Sequence, residues 1–105
     1  MCIRDRYYSV IEVTETSLNL ALTSLENQDF ESTKNFIEFG STHFSKNLEK
    51  LRNVDASLTD EVHISLLDLQ TRQLTPENLS TVSSEITRIV EIFEAIPEDL
   101  SLIHI

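Results

Sequence analysis

Phe30, Ile37, Phe44 and Leu51 stand seven residues apart. This spacing limits what the chain can fold into more than any other feature. Two turns of an α-helix take about seven residues, so the four side chains share one stripe, as at the seam of a helix bundle. Leu48 and Thr33 fill the same stripe. A half-buried strand needs apolar and polar residues in alternation, and no such alternation competes here. Three further segments repeat the helical pattern. Ile11, Thr14, Leu18, Leu22 and Leu25 fall at spacings of three and four, with Val13 and Leu20 widening the face. Leu58, Val62, Leu66 and Leu69 form a third face, broadened by Ile64 and Leu67. Leu79, Val82, Ile86, Ile89, Val90, Phe93 and Ile96 form the most continuous one.

Boundary residues divide these faces into helices over about 8–26, 30–52, 58–73 and 76–96. Asn27-Gln28-Asp29 makes the first turn, and either Asn27 or Asp29 suits the cap of the next helix. Asn53 to Ala56 makes the second connection. Ser57-Leu58-Thr59-Asp60 matches a capping box ahead of an apolar run. Thr75-Pro76-Glu77 is a start signal, with proline at the first helical position and an acid near the positive end of the helix dipole. Pro97 stops the last helix. Short connections favour antiparallel neighbours, so the expected fold is all-α, an antiparallel up-down four-helix bundle. The single glycine, Gly40, lies inside the second helix. It reads either as a kink or ligand approach, or as a close helix contact or simple tolerance at a cost of roughly 1 kcal/mol.

A chain of 105 residues with one glycine, one cysteine and a net charge of -10 holds one domain and no glycine-rich phosphate loop. Negative charge opposes a nucleic-acid backbone. No apolar run reaches the roughly 18 residues that cross a bilayer, so no membrane insertion is expected within this segment. No catalytic motif is present, and the acids read as polar-face residues. The expectation is a non-enzymatic chain with no cofactor and a protein partner.

The two ends are expected to be foreign. Leu100-Ser101-Leu102-Ile103-His104-Ile105 back-translates as CTG TCT CTT ATA CAC ATC. The reverse complement, read one base in, encodes Met-Cys-Ile-Arg-Asp, which is how the chain opens from Met1 to Asp5. The element resembles the transposase mosaic-end adapter of sequencing libraries. On this reading residues 1–6 and 100–105 are adapter, and 7–99 is a single helical-bundle domain open to truncation at both ends. Setting aside Asp5, Arg4 and Arg6 lowers the acids from 18 to 17 and the bases from 8 to 6, a net charge of -11.

A metal site is one candidate function. Carboxylate bundles set a carboxylate and a histidine three residues apart on one helix face, and Asp60-x-x-His63 is the nearest match. His43, one residue before the seam residue Phe44, completes a candidate set of His43, Asp60 and His63, with oxygens available from Glu38, Glu49, Glu61 and Asp68. The competing reading leaves both histidines at the surface and Asp60 in the cap. A third function class is a helical-repeat scaffold, because Leu25 to Glu31 resembles the inter-helix turn of tetratricopeptide-type hairpins. The 34-residue signature of that repeat is missing.

Between Leu25 and Leu69 the chain also resembles exported helical domains of ammonia-oxidising archaea and some bacteria. The residues concerned are the turn Asn27-Gln28-Asp29-Phe30, the mid-helix His43, the linker Val54 to Leu58, and Asp60-Glu61-Val62-His63. Related bundles are attached to high-affinity iron permeases. The resemblance covers about half of 7–99 and includes no diagnostic motif. It implies an extracytoplasmic, membrane-tethered accessory bundle associated with metal uptake. The glutamate-rich transport motif of the permeases is absent, so transport itself is not implied.

Overall fold

Asn47 divides the helix predicted over 30–52. In the structure, a computed structural model that describes residues 3–96 with side chains from Tyr8 onward, α2 runs Phe30–Lys46 and α3 runs Leu48–Val54. The Asn47 side-chain nitrogen donates to the His43 carbonyl at 2.9 Å. A bond to the backbone four residues back competes with the helix's own ladder. The Leu51 amide still donates to the Asn47 carbonyl at 3.0 Å, so helix resumes at once. Phe44 and Leu51 are both buried, so the seven-residue stripe crosses the break.

The first helix, α1, is Ile3–Glu26. It takes in residues 3–6, whose adapter reading concerns their origin and not their conformation. Residues 1–2 and 97–105 lie outside the described residues, and with them Pro97 and the second adapter segment, 100–105. α1 ends in a hydrogen-bonded Schellman turn. The Asp29 amide donates to the Ser24 carbonyl and the Gln28 amide to the Leu25 carbonyl, both at 2.9 Å, which satisfies carbonyls the helix end leaves open. Gln28 takes the left-handed position, with φ of 60°. Asp29, one of the two predicted caps, closes the start of α2: its carboxylate accepts from the Ser32 amide at 3.2 Å and the Ser32 hydroxyl at 2.8 Å.

Two starts differ from expectation. α4 is Ala56–Thr71 and its cap is Asp55, whose Oδ1 accepts from the Leu58 amide at 3.0 Å. The Ser57–Asp60 capping box does not form. Asp55, two residues earlier and extended at φ −155°, ψ 96°, already places a carboxylate over the free amides, and Asp60 is drawn into an ion pair with Arg52 at 3.2 Å. At the other end Arg72 is extended, so the helix stops short of 73. Thr75-Pro76-Glu77 opens a single 3-10 turn, Pro76–Asn78, before α5 at Leu79–Glu94.

The described residues are helical with no strand, so the all-α expectation holds. α1 lies against α2 and α5, α2 against α4, α3 against α4 and α1, and α4 against α5. One core runs through them, with Leu18, Leu25, Ile37, Phe44, Leu51, Leu66, Ile86 and Phe93 among its members. The flanking positions behave differently. Leu20, Ile64 and Leu67 are exposed and Val13 is half-buried. Residue i+2 sits about 200° around a helix from residue i. Leu20 after buried Leu18, and Ile64 after buried Val62, therefore point away from the core they were expected to widen.

Small residues meet at the α1–α2 seam. Thr14 and Ser17 on α1 and Gly40 on α2 are all buried there. The Ser17 hydroxyl donates to the Phe36 carbonyl at 2.6 Å, and a Cβ at Gly40 would lie 3.3 Å from Ser17 Cβ. Gly40 is thus a close-contact residue. α2 continues through it without interruption.

Candidate functional site

The three residues considered as metal ligands are engaged separately. His43, half-buried on α2, stacks on Phe39 with ring centroids 6.3 Å apart and planes within 3°. His63 on α4 places Nδ1 3.5 Å from the Ser45 hydroxyl. Asp60 pairs with Arg52. Among the described residues no group of three or more His, Cys, Asp or Glu side chains stands together as a metal site. Arg72 grips Glu85 with two nitrogens, at 2.9 and 3.3 Å. Arg88 reaches Ser65 at 2.9 Å and Glu61 at 3.9 Å. Both arginines tie α4 to α5.

The outer face of the α1–α2 pair carries a different kind of feature. Val13, Thr16, Ser17 and Leu20 recur on one side of α1, and Asn35, Phe36 and Phe39 face them from α2. Together with Glu12 they line an open hollow of about 540 Å³. Phe39 is 59% exposed and Leu20 46%. Ser17, one of the lining residues, is also the residue that meets Gly40 at the close helix contact. The side chains of Thr16 and Asn35 make no hydrogen bond among the described residues and are free to meet a ligand. The lining offers apolar surface, one uncommitted hydroxyl on Thr16 beside the bonded one of Ser17, one amide and one carboxylate. That chemistry binds apolar side chains, and it contains no nucleophile paired with a base.

At its Glu12 end the groove adjoins a second hollow lined by Tyr8, Ile11, Glu12, Glu15, Phe93 and Glu94. Partial burial, then the charges of Glu94 and Glu12, push the Glu15 carboxyl above its ordinary range. Three acids of α1 and α5 thus share one corner beside the apolar groove.

Phe36 and Phe39 lie off the seven-residue stripe, and in the structure they line the groove. Sequence periodicity assigned Leu20 to the core. The signal that separates Leu20 is its offset of two residues from Leu18. No protein-family model, characterised protein or solved structure matches this chain.

Proposed function

We propose that this chain is a non-enzymatic helical interaction module, an up-down four-helix bundle of α1, α2 with α3, α4 and α5 that docks a partner protein through the α1–α2 groove. The single observation that carries the reading is the contiguous apolar lining of Val13, Leu20, Phe36 and Phe39, in which Leu20 and Phe39 have no packing role in the core. An acidic chain with few exposed large apolar residues keeps such a patch at a cost in solubility, and patches of this kind mark interaction sites. The contact between α1 and α5 favours a closed bundle over a helical-repeat scaffold, where the first and last helices lie apart. By its resemblance to permease-associated domains, the module serves outside the cytoplasm as an accessory to a membrane-tethered assembly.

Panning a random peptide library against the full chain tests the reading. Recovered binders are expected to lose affinity by about tenfold or more when Leu20→Ser and Phe39→Ser are introduced together, since apolar anchors dominate such interfaces. Binders indifferent to both substitutions, or no binders, would remove the groove as a docking site.

A further inference from the structure

The walls and rim of the groove restrict what can occupy it. The walls are two helices whose backbone amides and carbonyls are already paired within α1 and α2, so an extended segment lying there would find no backbone partners over apolar surface. A helix satisfies its own backbone and presents side chains at spacings of three and four. The rim supplies the charge. Glu12 lines the groove and also the adjoining hollow that holds Glu15 and Glu94, and among the described residues no basic side chain lines either of them. Beyond Phe39 the border is mixed, with Glu38 and Lys46. The acidic end is therefore the Glu12 end, where burial first, then the charges of Glu94 and Glu12, hold Glu15 partly against ionisation, and a cation would relieve the repulsive part. A second copy of the chain is a poor match, because it brings a net charge of -10 to a site that is itself acidic.

We infer that the occupant is an amphipathic α-helix of a partner protein, its apolar stripe over Val13, Leu20, Phe36 and Phe39 and its Lys or Arg residues over Glu12, Glu15 and Glu94. The inference rests on the reading of the groove as a docking site and adds the fold and charge of what docks. The apolar stripe supplies most of the affinity, and the acidic corner sets orientation and selects against acidic helices.

Three synthetic peptides of about 18 residues, long enough to form helix, separate the two levels. All carry the same composition of apolar residues. One has lysines flanking an intact stripe, one has glutamates flanking it, and one has lysines with the stripe scrambled. Fluorescence anisotropy against the full chain is expected to rank the first about tenfold tighter than either other. The preference over the glutamate peptide should shrink in about 1 M salt, where the screening length falls to roughly 3 Å. It should also shrink in a variant carrying Glu12→Gln, Glu15→Gln and Glu94→Gln. If the two intact-stripe peptides bind equally and Phe39→Ser weakens both, the groove stands and the charge inference is overturned. If the scrambled peptide equals the intact one, or nothing binds, both levels fail. A concentration-dependent dimer in sedimentation that Phe39→Ser abolishes would show that the occupant is a second copy, and would also overturn the inference.

Discussion

Ser17 and Gly40 face each other across the α1–α2 seam so closely that a methyl group on Gly40 would sit 3.3 Å from Ser17 Cβ and 3.4 Å from its hydroxyl oxygen. Ser17 has little room to yield. It is buried, and its hydroxyl is drawn onto the Phe36 carbonyl at 2.6 Å.

Two effects oppose each other in Gly40→Ala. Alanine gains about 1 kcal/mol of helix propensity, while overpacking a tight seam costs about 1–3 kcal/mol. With Ser17 pinned, the second is larger. The expected outcome is a net loss of about 1 kcal/mol in urea denaturation. In a Ser17→Gly background the same change should become neutral or stabilising, because the opposing atoms are gone. A coupling energy near zero in this double-mutant cycle would mean that the seam is not limiting.

Gln28 holds a left-handed backbone, φ 60°, in the turn that ends α1. A side chain in that region costs roughly 1–2 kcal/mol, part of which glycine returns through greater freedom in the unfolded chain. Gln28→Gly is therefore expected to stabilise by about 0.5–1 kcal/mol and to raise the thermal midpoint. Gln28→Val should do the reverse, since a β-branched residue tolerates this conformation least. A Gly variant less stable than the parent would show that the Gln28 side chain contributes something more than turn geometry.

Burial first, then Glu94 and Glu12, raise the Glu15 carboxyl above its ordinary value. Folding therefore favours its protonated form. The resulting contribution to stability is fully present below the unfolded carboxylate pKa and is lost as pH rises through the folded one. Glu15→Gln should accordingly be more stable than the parent at neutral pH, with the difference fading in acid. Because burial is the leading cause, much of the advantage should survive added salt. Thermal midpoints of both proteins across the acid range decide the matter, and a difference that grows on acidification would contradict the sign.

Much of the fold was readable in advance because helical periodicity is a local property. The buried residues Leu18, Leu25, Ile37, Phe44, Leu66, Ile86 and Phe93 all belong to the predicted faces. The Asp29 cap was legible because its carboxylate needs only the amide three residues ahead. The Asn47 break was not, because an asparagine inside an apolar pattern continues a helix or interrupts it according to its surroundings. The capping box at Ser57 was displaced because Asp55 and Arg52 offered competing partners. The candidate metal set failed to assemble among the described residues for a related reason. His43 stacks on Phe39 one turn earlier along α2, while His63 approaches Ser45 and Asp60 meets Arg52, contacts that depend on how α2, α3 and α4 are rotated against one another.

By itself the sequence determined the helical class, the faces that enter the core and the acidic character of the surface, since each follows from spacing and composition along one chain. Tertiary structure alone decided that Gly40 brings two backbones together at Ser17, that Leu20 and Phe39 are left outside over a shared groove, and that Glu12, Glu15 and Glu94 meet at its end. The physical reason is that burial is decided pairwise. A helix offers apolar residues around much of its circumference, and only the distance and rotation of its neighbours select which of them lose their water.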